Sequence, residues 1–271
     1  MAVRSIEKGE AAKREIVEAT GCDPSVIDVW TLDLSSYASV KSFAARVTSE
    51  LPRVDVLLEN AGIATKKWTW AEDNESTLTV NVVSTFLLAF LLLPKLKETA
   101  TRFNTRPNLT IVTSEVHCTV DFKEKDAPEG IFNYLNDESK ADMAVRYPTS
   151  KLLEVFFVRE MAARRPRDSY PVTINMVNPG FCHSELVREG SSFLLSTMKY
   201  VLARTTEVGS RTLVHGVSAG PETHGQYLNK CKVEEPATIV TCPEGPKTQQ
   251  RVWDELIAKL EKIEPGISGN L

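Results

Sequence analysis

The sequence contains no glycine-rich turn. Its 13 glycines are scattered through 271 residues, and none cluster where a strand would hand a phosphate to a helix amino end. Cysteine is sparse as well. Cys22, Cys118, Cys182, Cys231 and Cys242 are odd in number and show no C-x-x-C spacing. That pattern argues against a disulfide framework or a zinc ribbon and fits reduced thiols in a cytoplasmic setting. The four histidines, His117, His183, His215 and His224, have no metal-ligand spacing. A strong charge of one sign is also missing. The formal net charge of -4 offers no field for nucleic acid or an anionic membrane. The basic clusters at Arg4 to Arg14 and Arg164 to Arg167 are short and read as solvated helix faces. The longest apolar run, Phe86 to Pro94, falls short of the ~20 residues that cross a bilayer. The charged start through Arg4, Glu7 and Lys8 is no secretory signal. Two glycosylation sequons, at Asn74 and Asn108, then carry little weight.

What is present is an alternation of helix and strand. Glu7 to Ala19 is rich in Glu, Lys and Ala and stops at Gly21, which predicts a helix end. Val26 to Leu32 is β-branched and apolar and predicts a strand. Ser36 is placed to cap a helix from Ser39 to Leu51. Further strands are predicted at Val54 to Leu58, Leu109 to Thr113, Val172 to Val177 and Gly225 to Leu228. Helices are predicted at Glu72 to Lys97 with a break near Asn81, at Tyr147 to Arg164, at Glu207 to Ala219 and at Lys247 to Ile263. Short apolar strands between helices point to a doubly wound α/β fold with a parallel sheet covered on both faces. No repeat or low-complexity linker divides residues 1–271, so one domain is expected. Asp121 to Ala144 is polar and reads as a loop with a helical turn, bordering the site that follows it.

Tyr147-Pro148-Thr149-Ser150-Lys151 is the sharpest local motif. At i and i+4 on a helix, a phenol and an ammonium share one face. The positive charge favours the phenolate, which suits Tyr147 to proton transfer. Alone, Y-x-x-x-K arises often by chance. Here it stands in an ordered series. Asn60-Ala61-Gly62 follows one strand, Asn81 lies in the next helical segment, and Ser114 follows another strand. After Tyr147 and Lys151, Asn178-Pro179-Gly180 closes a further strand.

In this order the sequence resembles the short-chain dehydrogenase/reductase family over nearly its whole length, with a lean toward the retinol-dehydrogenase-like branch of filamentous fungi. His215 to Gly225 has the look of fungal members. The resemblance implies a Rossmann-like fold and NADP-dependent interconversion of a carbonyl and an alcohol on a small molecule, with secondary metabolism as the setting. It implies that Tyr147 exchanges a proton with the substrate oxygen, Ser114 polarises that oxygen, and Lys151 assists Tyr147 and holds the nicotinamide ribose. Asn81 would position a relay water. Asn60, Ala61 and Gly62 would lie along the cofactor, and Asp33 would approach the adenine. Pro179, Gly180 and Ser184 would cover the nicotinamide. Arg4 stands where the family chooses between cofactors, and an arginine there suits the 2′-phosphate of NADP. The apolar faces of Val82 to Lys97 and Leu152 to Met161 suggest a homo-oligomer. Ser191 to Ala203 suggests a lid.

One departure stands out. Met1-Ala2-Val3 looks like the end of the family's second strand, so a first strand, the glycine turn and a first helix, roughly 30 residues in all, are expected to be missing. The expectation is therefore an N-terminally truncated sheet with unpaired edges. Two other readings stay open beside the reductase. One is a cofactor-poor remnant that binds a small molecule or a partner. The other is a non-redox dehydratase or isomerase with Tyr147 as proton donor.

Overall fold

The computed structural model describes residues 1–182 and 205–271. His183, Ser184 and the lid segment Ser191 to Ala203 thus lie outside the described residues. The chain opens with β1 (Ala2–Val3), α1 (Ile6–Thr20), β2 (Trp30–Thr31), α2 (Tyr37–Glu50) and β3 (Val56–Glu59). A hairpin of β4 (Trp70–Ala71) and β5 (Asn74–Glu75) leads into α3 (Ser76–Leu78). A π-helical turn at Thr79–Val83 joins α3 to α4 (Ser84–Phe103). Then come β6 (Asn108–Val112), α5 (Ile131–Leu135), α6 (Met143–Arg164) and β7 (Thr173–Asn178). The last elements are α7 (Thr206–Ser218), β8 (Tyr227–Asn229), β9 (Lys232–Glu234), α8 (Thr238–Thr241) and α9 (Gly245–Ile263).

Local chemistry sets these boundaries. The Ser5 hydroxyl accepts from the Lys8 amide at 3.3 Å and starts α1, and Gly21 ends it at φ 68°, where a Cβ is unfavourable. Ser36 caps α2 through the Ser39 amide. The Asp142 carboxylate accepts from Ala144 and starts α6 one turn before the predicted Tyr147. The predicted strand Val26 to Leu32 shrinks to Trp30–Thr31, because Asp23 caps a 3-10 turn at Pro24–Val26 that uses up its first residues.

The strand order β3-β6-β7-β8-β9 forms one five-stranded sheet, parallel except for β9. β1 and β2 pair in parallel as a separate two-stranded sheet. The sheet is therefore in two pieces among the described residues. Among the described residues β1 and β2 each keep one unpaired side, and β3 and β9 are the edges of the larger sheet. Alternation along β7 serves both faces: Ile174 and Met176 join the large core, while Val177 joins Val112, Leu228 and Leu213 beneath α7. Gly216 brings α7 close, because a Cβ there would lie 2.4 Å from Val177 Cγ1.

On the other face, α4 and α6 meet through Phe86 and Phe157, whose ring centroids are 4.3 Å apart. Trp253 of α9 stacks on Phe157 at 4.8 Å and 17°. By length and composition Ser76–Phe103 passes for a membrane span, but 94% of its most apolar window is buried inside the protein. The apolar second faces of α4 and α6, which suggested a homo-oligomer, are covered by α9 and the C-terminal residues Ile267 to Leu271. An oligomer built on those two helices would find no free apolar surface there. Both sequon asparagines, Asn74 and Asn108, are buried and closed to modification.

Candidate active site

Because β3, β6 and β7 run parallel, their carboxyl ends share one edge. That edge gathers Asn60, Ser114 and Pro179, as expected for ligand binding in open α/β sheets. Asn60 and Ala61 are exposed there, and Gly62 is half-buried.

Ser114 is extended (φ -153°, ψ 148°) and caps the short 3-10 turn Glu115–Thr119. His117 folds back from that turn. Its Nε2 accepts from the Ala237 amide at 3.0 Å, so Nδ1 carries the hydrogen and donates to the Ser114 carbonyl at 2.6 Å. Burial lowers the His117 pKa and keeps the ring neutral. His117 is thus a clamp on the Ser114 backbone.

Tyr147 lies in the second turn of α6, where the Ser114 side chain acts weakly to lower the pKa of its phenol. Burial raises the Tyr147 pKa. The Lys151 charge acts downward and Glu154 acts upward. The lowering expected from Lys151 has the right sign, but desolvation outweighs it. The Lys151 Nζ sits 5.6 Å from the Tyr147 ring centroid. It donates to the Val112 carbonyl at 2.8 Å and to Glu154 Oε1 at 2.7 Å. An ammonium has three donors, so one N–H is left. Gly62 lies to that side: a Cβ there would come within 3.8 Å of Nζ and 3.2 Å of Asn81 Oδ1.

Asn81 sits in the π-helical turn, the predicted break. Its Oδ1 accepts from the Ile63 amide at 2.8 Å. Its Nδ2 donates to the Ile63 carbonyl at 2.9 Å and to Ser150 Oγ at 3.0 Å. Ser150 Oγ donates in turn to the Tyr147 carbonyl at 2.7 Å. Asn81 therefore ties the loop after Gly62 to the helix that carries Tyr147 and Lys151. Both of its side-chain donors are used in that bridge, so they are not free to hold a relay water.

Asn178, Pro179 and Gly180 form a turn in which the Gly180 amide donates to Asn178 Oδ1 at 3.0 Å, with Gly180 at φ 80°. Arg4 is exposed directly after β1. Asp33 follows β2 and accepts from the Ser35 amide at 2.9 Å and the Ser35 hydroxyl at 2.6 Å, which makes it a turn-builder. Arg4 and Asp33 both follow strands of the separate two-stranded sheet.

Two carboxyls escaped the sequence reading. Among the described residues, Glu154, three beyond Lys151, is buried with Oε2 unpartnered, and Glu59, directly before Asn60, is buried with both oxygens unpartnered. An acid inside an apolar run was the available signal, in Val56 to Glu59 and again in Leu152 to Phe157.

Fold and site together define a class: an α/β oxidoreductase with serine, tyrosine and lysine at the carboxyl edge of its sheet. The sequence profile of the short chain dehydrogenases matches residues 1–103. A short chain dehydrogenase/reductase of Cryptosporiopsis sp. is 54% identical over 273 residues, covering 100% of this chain and 84% of the relative. A short-chain dehydrogenase of Penicillium roqueforti is 40% identical, covering 98% of this chain and 71% of the relative. The chain belongs to the short-chain dehydrogenase/reductase family. The fold is shared with an uncharacterized protein of Mycobacterium paratuberculosis (TM-score 0.68, 24% identity, 97% of this chain and 83% of that one). It is shared also with an NADPH-bound carbonyl reductase from chicken fatty liver (TM-score 0.60, 18% identity, 86% and 85%).

The family's cofactor is a nicotinamide dinucleotide, and the residues here fit its nicotinamide half. The free Lys151 N–H, the side left open by Gly62, and the exposed Asn60 and Ala61 lie together at the sheet edge.

Proposed function

We propose that the protein is an NADP-dependent reductase or dehydrogenase that interconverts a carbonyl and an alcohol on a small molecule. The observation that carries this reading is the buried Lys151 ammonium 5.6 Å from the Tyr147 ring centroid, on the sheet edge that also carries Ser114. Tyr147 would give its proton to the carbonyl oxygen in reduction and take it back in oxidation. Ser114 would hold that oxygen beside the phenol. Lys151 would use its free N–H on the nicotinamide ribose, with Asn60, Ala61 and Gly62 alongside and Pro179 and Gly180 over the ring; Ser184 belongs to the same reading. The cofactor supplies the hydride when bound. Asn81 keeps the Gly62 loop and α6 in register. Arg4, exposed after β1, supports NADP over NAD, and Asp33 would border the adenine.

Fungal relatives support a role in fungal secondary metabolism, and the cysteine pattern supports a cytoplasmic setting. A homo-oligomer would need a surface other than α4 and α6.

Calorimetry with NADPH tests the reading, followed by NADPH consumption with a panel of ketones and aldehydes. Micromolar binding that weakens in Lys151→Ala is expected. Tyr147→Phe should bind NADPH and lose about 10²–10⁴-fold in turnover. A folded chain that binds no NADPH would favour the small-molecule or partner-binding reading. Turnover independent of nicotinamide would favour the dehydratase or isomerase.

A further inference from the structure

Lys151 is held from behind by a group that the proton chemistry above does not use. Glu154 Oε1 lies 2.7 Å from Nζ, and the two side chains are only 2% and 5% exposed. A full ion pair enclosed in the interior is costly to form, and it persists where its geometry is good. Here the geometry is good on the lysine side: Nζ has the carboxylate and the Val112 carbonyl in place at once. On the carboxyl side it is incomplete. Among the described residues Glu154 Oε2 has no hydrogen-bond partner, and neither Glu59 oxygen has one. Glu59 belongs to β3, and it feels the charge of Glu154 on α6. Two interacting buried carboxyls, only one of them paired with an ammonium, cannot both carry charge without a large penalty.

We propose that Glu154 is a positioning residue that acts through Lys151, anchoring the ammonium against β6 and offsetting the part of its charge that reaches Tyr147, while Glu59 stays protonated beside it. This inference rests on the reading of Tyr147 as the proton-transfer group. The groups that face Glu154 are Lys151 and Tyr147 on α6, Glu59 on β3, and Thr113 after β6.

The directions of titration agree. Burial pushes Glu59 well above the ordinary carboxyl range, and the Glu154 charge pushes it further. Burial raises Glu154 to about 7 against the pull of Lys151. The Glu154 charge also helps to hold the Tyr147 phenol up. Glu154 thus titrates near neutrality, so the field that Lys151 sends to Tyr147 depends on pH. As pH falls through that range, Glu154 takes a proton, the Lys151 charge is no longer offset, and the phenolate of Tyr147 becomes easier to form.

The test titrates Tyr147 directly and needs no substrate. Tyrosinate absorbance is followed against pH, with the same trace from Tyr147→Phe subtracted. In Glu154→Gln, Tyr147 should lose its proton at a pH lower by roughly one unit, the effect of removing one nearby negative charge. Glu154→Asp should stay near the wild type, and so should Glu59→Gln, which imitates a protonated Glu59. An unchanged Tyr147 titration in folded Glu154→Gln would overturn the proposal. Should Glu154→Gln not fold, the wild-type chain still decides: the Tyr147 ring resonance should show a step near neutral pH as Glu154 titrates, and a flat trace would overturn it. Failure of the reductase reading shows up elsewhere, as absent NADPH binding or a Tyr147→Phe variant with full turnover.

Discussion

Tyr147 keeps its proton through neutral pH, and this favours one direction of the proposed reaction. A raised phenol pKa leaves the proton donor loaded for carbonyl reduction at pH 7 and starves alcohol oxidation of its base. Reduction should therefore run at a steady rate across neutral pH and decline in alkali, while oxidation climbs with pH. Initial rates in both directions against pH check this. Buried titrating groups pull stability in opposite senses. His117 has a lowered pKa when folded, so the unfolded chain binds the proton more readily. Its contribution is whole above the ordinary value of 6.5 and drains away as pH falls below it. Glu154 is raised from 4.5 to about 7, so its contribution is whole below 4.5 and is lost as pH climbs through about 7. Urea midpoints at several pH values should show the acid-side loss shrink in His117→Asn, with His224 still contributing in the same sense, and the neutral-side loss shrink in Glu154→Gln. At this scale the sequence was legible where spacing encodes geometry. Tyr147 and Lys151 stand four apart on one helix, and Ser114 follows its strand. Glu59 and Glu154 were not legible, because their partnership joins β3 to α6 across 95 positions, and no local pattern spans that distance. His117 was likewise unreadable as a clamp, since its second partner is the amide of Ala237.

Among the elements, α9 does the most to close the core. Trp253 stacks on Phe157, which also meets Phe86 and Phe90. Phe157 is fully buried, so Phe157→Ala should cost about 3–5 kcal/mol by urea denaturation. Gly216→Ala should also destabilise, because the added Cβ meets Val177 and Thr110 at 2.4 and 3.2 Å. The helices were predicted closely, since a cap such as Ser36 and a stop such as Gly21 are written locally, although α6 begins at Met143 behind the unread cap Asp142. The short hairpin β4–β5 and the strand β9 were missed. β9 pairs over three residues, turning back after Lys230 and Cys231, both at positive φ without a glycine. Such turns leave no composition signal.

For the molecule as a whole, the decisive feature is a sheet in two pieces. β3 pairs with β6 on one side only, and its Val56 and Leu58 are 43% and 37% exposed. An unpaired, apolar edge invites pairing with another copy. Leu58→Lys should therefore reduce concentration-dependent light scattering while shifting the urea midpoint little. The sequence anticipated unpaired edges on the strands that became β2 and β3, and each of these pairs on one side only among the described residues.

The cover supplied by α9 also carries a consequence for how the protein is made. The chain leaves the ribosome amino end first, so α4, α6 and the parallel strands emerge well before Trp253. Until α9 arrives, Phe157 and its aromatic neighbours have an open side, and the emerging chain displays the same apolar surface that the finished protein hides. Nascent chains are thus most exposed to chaperones, and to one another, during the interval between the synthesis of α6 and that of α9.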